Sequence, residues 1–141
     1  MRLNRFALAV ILAAATPVMP AGHGLKTKAV DLGSVKVDKA AGPDARTVAE
    51  LHAQKLFLKG KEVLVRGKVV KVTPAVMDLN WIHLRDGTGG AQAGDNDLTV
   101  TTTETIAVGK VVTVRGRITL DKDLGGRYKF PVLLEGAKLV P

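Results

Sequence analysis

Residues 60–72 read GKEVLVRGKVVKV, and residues 109–120 repeat the pattern as GKVVTVRGRITL. Gly60-Lys61 matches Gly109-Lys110, Val63 and Val65 match Val112 and Val114, and Arg66-Gly67 matches Arg115-Gly116. Lys68-Val69 returns as the conservative pair Arg117-Ile118. Apolar and polar residues alternate in both copies, the period of a half-buried strand. Each copy has a glycine at its centre, which inside a strand marks a bulge or a bend. In the first copy the apolar positions run Val63, Val65, Val69 and then Val70, Val72. That slip of one residue is what a bulge produces, so the strand is expected to bend at residues 67–70. Two long bent strands of one pattern, with shorter strands between and after them, predict a small closed barrel.

The flanking segments supply the other elements. In residues 47–59, Thr47 and Glu50 form a T-x-x-E capping box. Val48, Leu51, Lys55 and Leu58 share one helical face, and Gly60 is placed to end the helix in a left-handed cap. Residues 34–39, SVKVDK, have the alternation of a short edge strand. After the first long strand, Pro74 is expected to end the ladder. A second strand follows in residues 80–85, with Ile82 and Leu84 inward and Trp81, His83 and Arg85 outward. Asp86-Gly87 marks a turn. A third strand, residues 98–104, points Leu98 and Val100 inward. The second repeat is the fourth strand, and residues 128–135 are the fifth, with Pro131 confined to an edge or a bulge. The expected core is Val63, Val65, Val69, Ile82, Leu84, Leu98, Val100, Val112, Val114 and Ile118.

The 141 residues have room for one domain. Arg2 and Arg5 precede the ten-residue apolar run FALAVILAAA at residues 6–15, and Pro17 and Pro20 follow it. This is the layout of a secretory leader, and it is shorter than the roughly 20 apolar residues of a membrane span. Cleavage is expected after Ala21, with the small residues at 13–15 as the other site. The expected plan is a signal peptide at 1–21, a partly mobile approach segment at 22–46, and the folded domain at 47–141, with its helix at 47–59. Location in the periplasm or outside the cell follows. Without Arg2 and Arg5, 19 basic residues face 13 acidic ones, a net charge of +6. No cysteine is present, which excludes disulfides, thiolate metal sites, cysteine nucleophiles and a lipoprotein anchor.

Five strands, one helix and a bulged first strand match an oligonucleotide/oligosaccharide-binding barrel, the OB-fold. The runs VRGKVVKV, NWIHLRDGTGG, DLTVTT, GKVVTVRGRI and DKDLGGRYKFPVLLEGAK occur in that order. With the TVAEL helix before them, they resemble a group of secreted bacterial OB-fold proteins described as nucleotide- or DNA-binding. The resemblance covers residues 47–138. More distantly, the chain is similar to the periplasmic bacterial OB-fold stress proteins. Their second-strand pattern, aromatic-x-aromatic-x-D-x-T-G, has its counterpart here in Ile82, Leu84, Asp86, Thr88 and Gly89. The resemblance implies a binding module and brings no catalytic residues or cofactor.

OB barrels bind across the outer face of strands two and three and the neighbouring loops. On that face Trp81 offers a stacking plate, and His83 and Arg85 follow at strand spacing. Arg66, Lys68, Arg115 and Arg117 share the outward phase of the two repeats. If those strands pair, four cations lie close together and meet phosphates. The same residues also serve simply to solvate an outer face. The ligand classes in view are single-stranded nucleic acid or nucleotide, and a periplasmic protein or small molecule. No stable membrane insertion is expected once the leader is removed. His23, His52 and His83 are scattered, and Asp95 and Asp97 lack the spacing of a calcium loop. Neither a metal site nor a secreted nuclease is expected. A haem-chaperone reading lacks the membrane anchor and the His-x-x-x-Tyr that such chaperones carry.

Overall fold

The structure, a computed structural model, describes residues 33–141. The leader and the first part of the approach segment lie outside the described residues. Two short helices, α1 (Val48–Ala53) and α2 (Lys55–Leu58), precede five strands. These are β1 (Glu62–Val76), β2 (Leu79–Arg85), β3 (Leu98–Thr102), β4 (Val111–Asp123) and β5 (Lys129–Val140). The strands form one sheet in the order β1-β2-β3-β5-β4, and β4 pairs back onto β1, so the sheet closes in a ring. All neighbours are antiparallel except β3 and β5, which meet in parallel at Thr99↔Leu133 and Val100↔Leu134.

The two repeats are β1 and β4, and they pair with each other, Val65 opposite Val114 and Gly67 opposite Val112. The expected slip is present. Val69 pairs with Leu84 and Lys71 with His83, which leaves Val70 as the extra residue of a bulge. Before it, odd-numbered residues of β1 face inward; after it, Val72 faces inward opposite Ile82. Lys71 and Thr73 are thereby turned to the outer face. Gly116 stands at a second irregularity, where the β4–β5 register shifts between Arg115 and Arg117. A Cβ there would lie 2.8 Å from Leu134 Cγ and 3.0 Å from the Glu135 carbonyl oxygen. The strands approach so closely that only glycine fits without displacement.

Nine of the ten expected core residues are buried, and Val112 is partly buried against the same cluster. Val48, Leu51 and Leu58 bring the helices into this cluster. Burying one such side chain contributes about 1.5–3 kcal/mol.

Several boundaries differ from expectation. The helix breaks at Gln54 into α1 and α2, with Gly60 beyond it at φ +76°. Residues 34–39 form no strand; Val37 N–H donates to the Asp86 carbonyl, and the segment lies against the domain as an extended strap. Pro74 does not end β1. The strand runs on to Val76, and the register shift between Thr73 and Val76 absorbs the missing N–H. A two-residue turn, Met77-Asp78, then leads into β2, with both residues at positive φ (54° and 60°). That is the twist a two-residue hairpin favours. β5 runs from Lys129 through Val140, past the expected end at residue 135, and β3 ends at Thr102 rather than at residue 104.

The helix start is finished from a distance. Thr47 Oγ1 accepts the Glu50 N–H, and Glu50 Oε2 accepts the Thr47 N–H, completing the capping box. The Val48 N–H is taken by Asp86 Oδ2 at 2.9 Å and the Ala49 N–H by Thr88 Oγ1 at 3.0 Å. Asp86 Oδ1 in turn accepts from the Thr88 N–H and hydroxyl. Asp86-Gly87-Thr88 is thus a bracket that supplies acceptors to a helix end otherwise left unsatisfied.

Candidate functional site

The β1 bulge, the β1–β2 turn and the β4–β5 turn together build a groove of about 510 Å³ on the outer face of the sheet. Lys71 and Thr73 enter it from β1, Trp81 and His83 from β2, and Thr99 from β3. The pairs Lys71↔His83, Thr73↔Trp81 and His83↔Thr99 set these side chains in adjoining rows. Val76 and Met77 form one wall, and Leu124, Tyr128 and Phe130 the other.

Trp81 is fixed at both ends. Its indole N–H donates to the Val76 carbonyl at 3.0 Å, and its ring stacks on Phe130 with centroids 5.1 Å apart and planes 30° apart. The platform is therefore a pair of rings, with Tyr128 standing exposed beside it. The chain has four aromatic residues after position 21, and three of them line this groove. The lining is mainly apolar and aromatic. Lys71 is exposed and makes no ion pair among the described residues. Arg127 and Lys129 flank Tyr128 in sequence.

Next to the groove a shallower depression is lined by Val70, Lys71, His83, Arg85 and Asp97. Asp97 forks between its neighbours: Oδ1 lies 2.5 Å from His83 Nδ1, and Oδ2 accepts from Arg85 Nε at 2.9 Å. Burial raises the Asp97 pKa, but the hydrogen bonds and charges of His83 and Arg85 outweigh it and hold the carboxyl below the ordinary aspartate range. The Asp97 carbonyl meets His52 Nε2 at 2.8 Å, which ties the end of the β2–β3 loop to α1. Asp95 Oδ1 accepts the Gly90 N–H within the same loop, as a turn residue does.

The structure brings Trp81, His83 and Arg85 together along β2, the first two in the groove and the third at its margin. It does not gather the four cations of the repeats. β1 and β4 pair, but their register is staggered. Arg66 lies opposite Thr113, Lys68 opposite Val111, Arg115 opposite Leu64 and Arg117 opposite Glu62. From Lys68 to the level of Arg117 is six residues, roughly 20 Å of strand. They are also engaged locally. Arg66 donates to the Asp38 carbonyl, Arg115 pairs with Asp44 at 3.4 Å, and Arg117 donates to the Gly60 carbonyl at 2.6 Å.

Reading the sequence alone missed Lys71, Thr73, Thr99, Met77, Tyr128 and Phe130. The one-residue slip held the signal for Lys71 and Thr73, because it reverses their facing. Nothing local marks Phe130 as a neighbour of Trp81; their contact depends on the strand order. Among the described residues no group of three or more His, Asp or Glu side chains is placed to hold a metal ion. No protein-family model, curated protein or solved structure matches the chain.

Proposed function

We propose that this protein is an exported, non-enzymatic OB-type binding module, and that the groove over β2 binds single-stranded nucleic acid or nucleotide. The observation that carries the reading is the aromatic floor of that groove, Trp81 stacked on Phe130 beside Tyr128, with the exposed Lys71 at its edge. Strand order 1-2-3-5-4 in a closed sheet, with the groove over β2 and β3 and between the β1–β2 and β4–β5 turns, supports the OB assignment. Export to the periplasm or beyond rests on the leader-like residues 1–21. Stacking suits any base, and each contact is worth roughly 1–3 kcal/mol. Binding rather than turnover is favoured because the titratable groups here are committed to one another: Asp97 accepts from both His83 and Arg85.

Trp81 is the only tryptophan, so its fluorescence reports the site directly. Titration with mixed-sequence oligonucleotides at low salt should quench it, and Trp81→Phe/Phe130→Ala should weaken binding by at least tenfold when followed by anisotropy of a labelled strand. Affinity should fall with salt, with a slope near −0.7 for each phosphate neutralised on a single strand. Lys71→Glu should flatten that slope, whereas Arg115→Glu should leave it unchanged. Flat titrations at low salt would remove nucleic acid. The mainly apolar lining of the groove would then favour an uncharged small molecule or an apolar peptide segment of a periplasmic partner.

A further inference from the structure

Residues 55–61 read KLFLKGK. The four-residue helix α2 turns Leu58 into the core and leaves Leu56 81 % and Phe57 65 % exposed. An isolated exposed leucine needs no explanation. Two adjacent large apolar side chains outside the core cluster, flanked in sequence by cations, form a different kind of surface. Lys55, Lys59 and Lys61 flank them in sequence, and no acidic residue occurs from 51 to 61. Lys61 Nζ stands 3.5 Å from the Phe57 ring centroid, so ring and ammonium are presented as a unit. Arg117 reaches in from β4 to the Gly60 carbonyl. The acids that bound this stretch in sequence are Glu50, which pairs with Lys39 at 2.8 Å, and Glu62, which lies opposite Arg117 in the β1–β4 register.

We propose that this tip docks on an anionic lipid surface. Leu56 and Phe57 enter the headgroup–acyl boundary, and the lysines meet lipid phosphates while their stems lie along the apolar layer. Charge complementarity selects this occupant. An apolar partner protein would be matched by Leu56 and Phe57 alone, whereas the acid-free lysine collar asks for a surface dense in negative charge. The attachment is peripheral and reversible. Among the described residues no helix is long and apolar enough to cross a membrane. The site is separate from the groove and stands or falls independently of the nucleic-acid reading.

The test places a reporter in the tip. In the full chain, Phe57→Trp combined with Trp81→Phe leaves a single tryptophan at position 57. With vesicles of mixed phosphatidylglycerol and phosphatidylcholine its emission should shift to the blue, and lipids brominated on the acyl chain should quench it. Phosphatidylcholine vesicles should do neither. Each lysine near an anionic surface is worth roughly a fivefold change in partitioning, so replacing Lys55, Lys59 and Lys61 with glutamine should weaken binding on the order of 100-fold. Adding Leu56→Ser to the reporter chain should lower partitioning several-fold more, with little change in melting temperature, because that side chain is exposed and outside the core cluster. A reporter that stays at the wavelength of free solution on anionic vesicles overturns the proposal. A blue shift that grows with protein concentration without lipid also overturns it and assigns the tip to a second copy of the chain.

Discussion

Replacing Asp86 tests the hydrogen-bonded link between the turn after β2 and the start of α1. Asp86 is 2 % exposed, and its carboxylate takes three donors: the Val48 N–H at 2.9 Å, the Thr88 N–H at 3.0 Å and the Thr88 hydroxyl at 2.6 Å. Asp86→Ala strands the Val48 N–H in a buried place, at a cost of roughly 1–3 kcal/mol. It also frees Thr88, whose Oγ1 serves the Ala49 N–H, so a second donor of the first helical turn is put at risk. Loss of a helix cap typically costs ~1 kcal/mol, and each hydrogen bond to a charged acceptor about 1.5–3. These terms overlap, because they describe the same lost contacts, and the net expected is ~3–5 kcal/mol, a large part of a total stability of about 5–15. At roughly 4 °C per kcal/mol for a domain of this size, the melting temperature should fall by about 12–20 °C. Asp86→Asn keeps the shape but turns an N–H₂ toward one of the donors, and should lose about half as much. Thermal melts by circular dichroism and urea titrations with matched slopes give the numbers, and amide exchange at Val48 gives the cause. Should Asp86→Ala melt within about 2 °C of the parent, the bracket does not support the helix and this account of the turn is wrong.

Val114→Asp puts an unpaired carboxylate into the ring interior, a cost of several kcal/mol, and should leave no cooperative unfolding transition; a parent-like melt would mean that the inward phase of β4 is wrong. Met77→Asn should stabilise by about 1 kcal/mol, since asparagine tolerates positive φ, while oligonucleotide binding weakens as the groove loses a wall; a gain in affinity would remove Met77 from the site. Because the folded pKa of Asp97 is depressed, its contribution to stability is present above the unfolded value near ~3.9 and is lost as pH falls through the lower folded value. The melting-temperature gap between the parent and Asp97→Asn should thus shrink as pH falls below about 4; a gap that persists in strong acid would show that the His83 and Arg85 contacts do not act through the carboxylate's charge.

The strands were legible because period-two alternation is imposed locally, residue by residue, by burial of one face. The repeat located β1 and β4, and the single slip at Val69–Val70 located the bulge. What lay beyond reach depends on which strands meet. Trp81 touches Phe130 because β5 passes between β3 and β4 on its way through the sheet, and no local pattern encodes that insertion. The cations of the repeats share a phase, which the sequence shows, but their separation depends on register, which it does not. The Asp86–Val48 hydrogen bond joins residues 38 positions apart, so Asp86 reads as a turn residue until the helix is seen above it.

Closure of the sheet bears on the order in which the chain can fold. β1 finds one partner, β4, through contacts such as Glu62↔Arg117 that close loops of roughly 50 residues. β5, the last strand in sequence, lies between β3 and β4 and completes the circuit. A chain that has reached the end of β4 therefore has no ring: β3 and β4 both present open edges, and Leu98, Val100 and Ile118 lack the Leu133–Leu134 side of their core. Local hairpins form and dissolve, and the native state is withheld until residues 129–140 are in place. Such a polypeptide exposes strand edges to edge-to-edge aggregation until its final strand arrives.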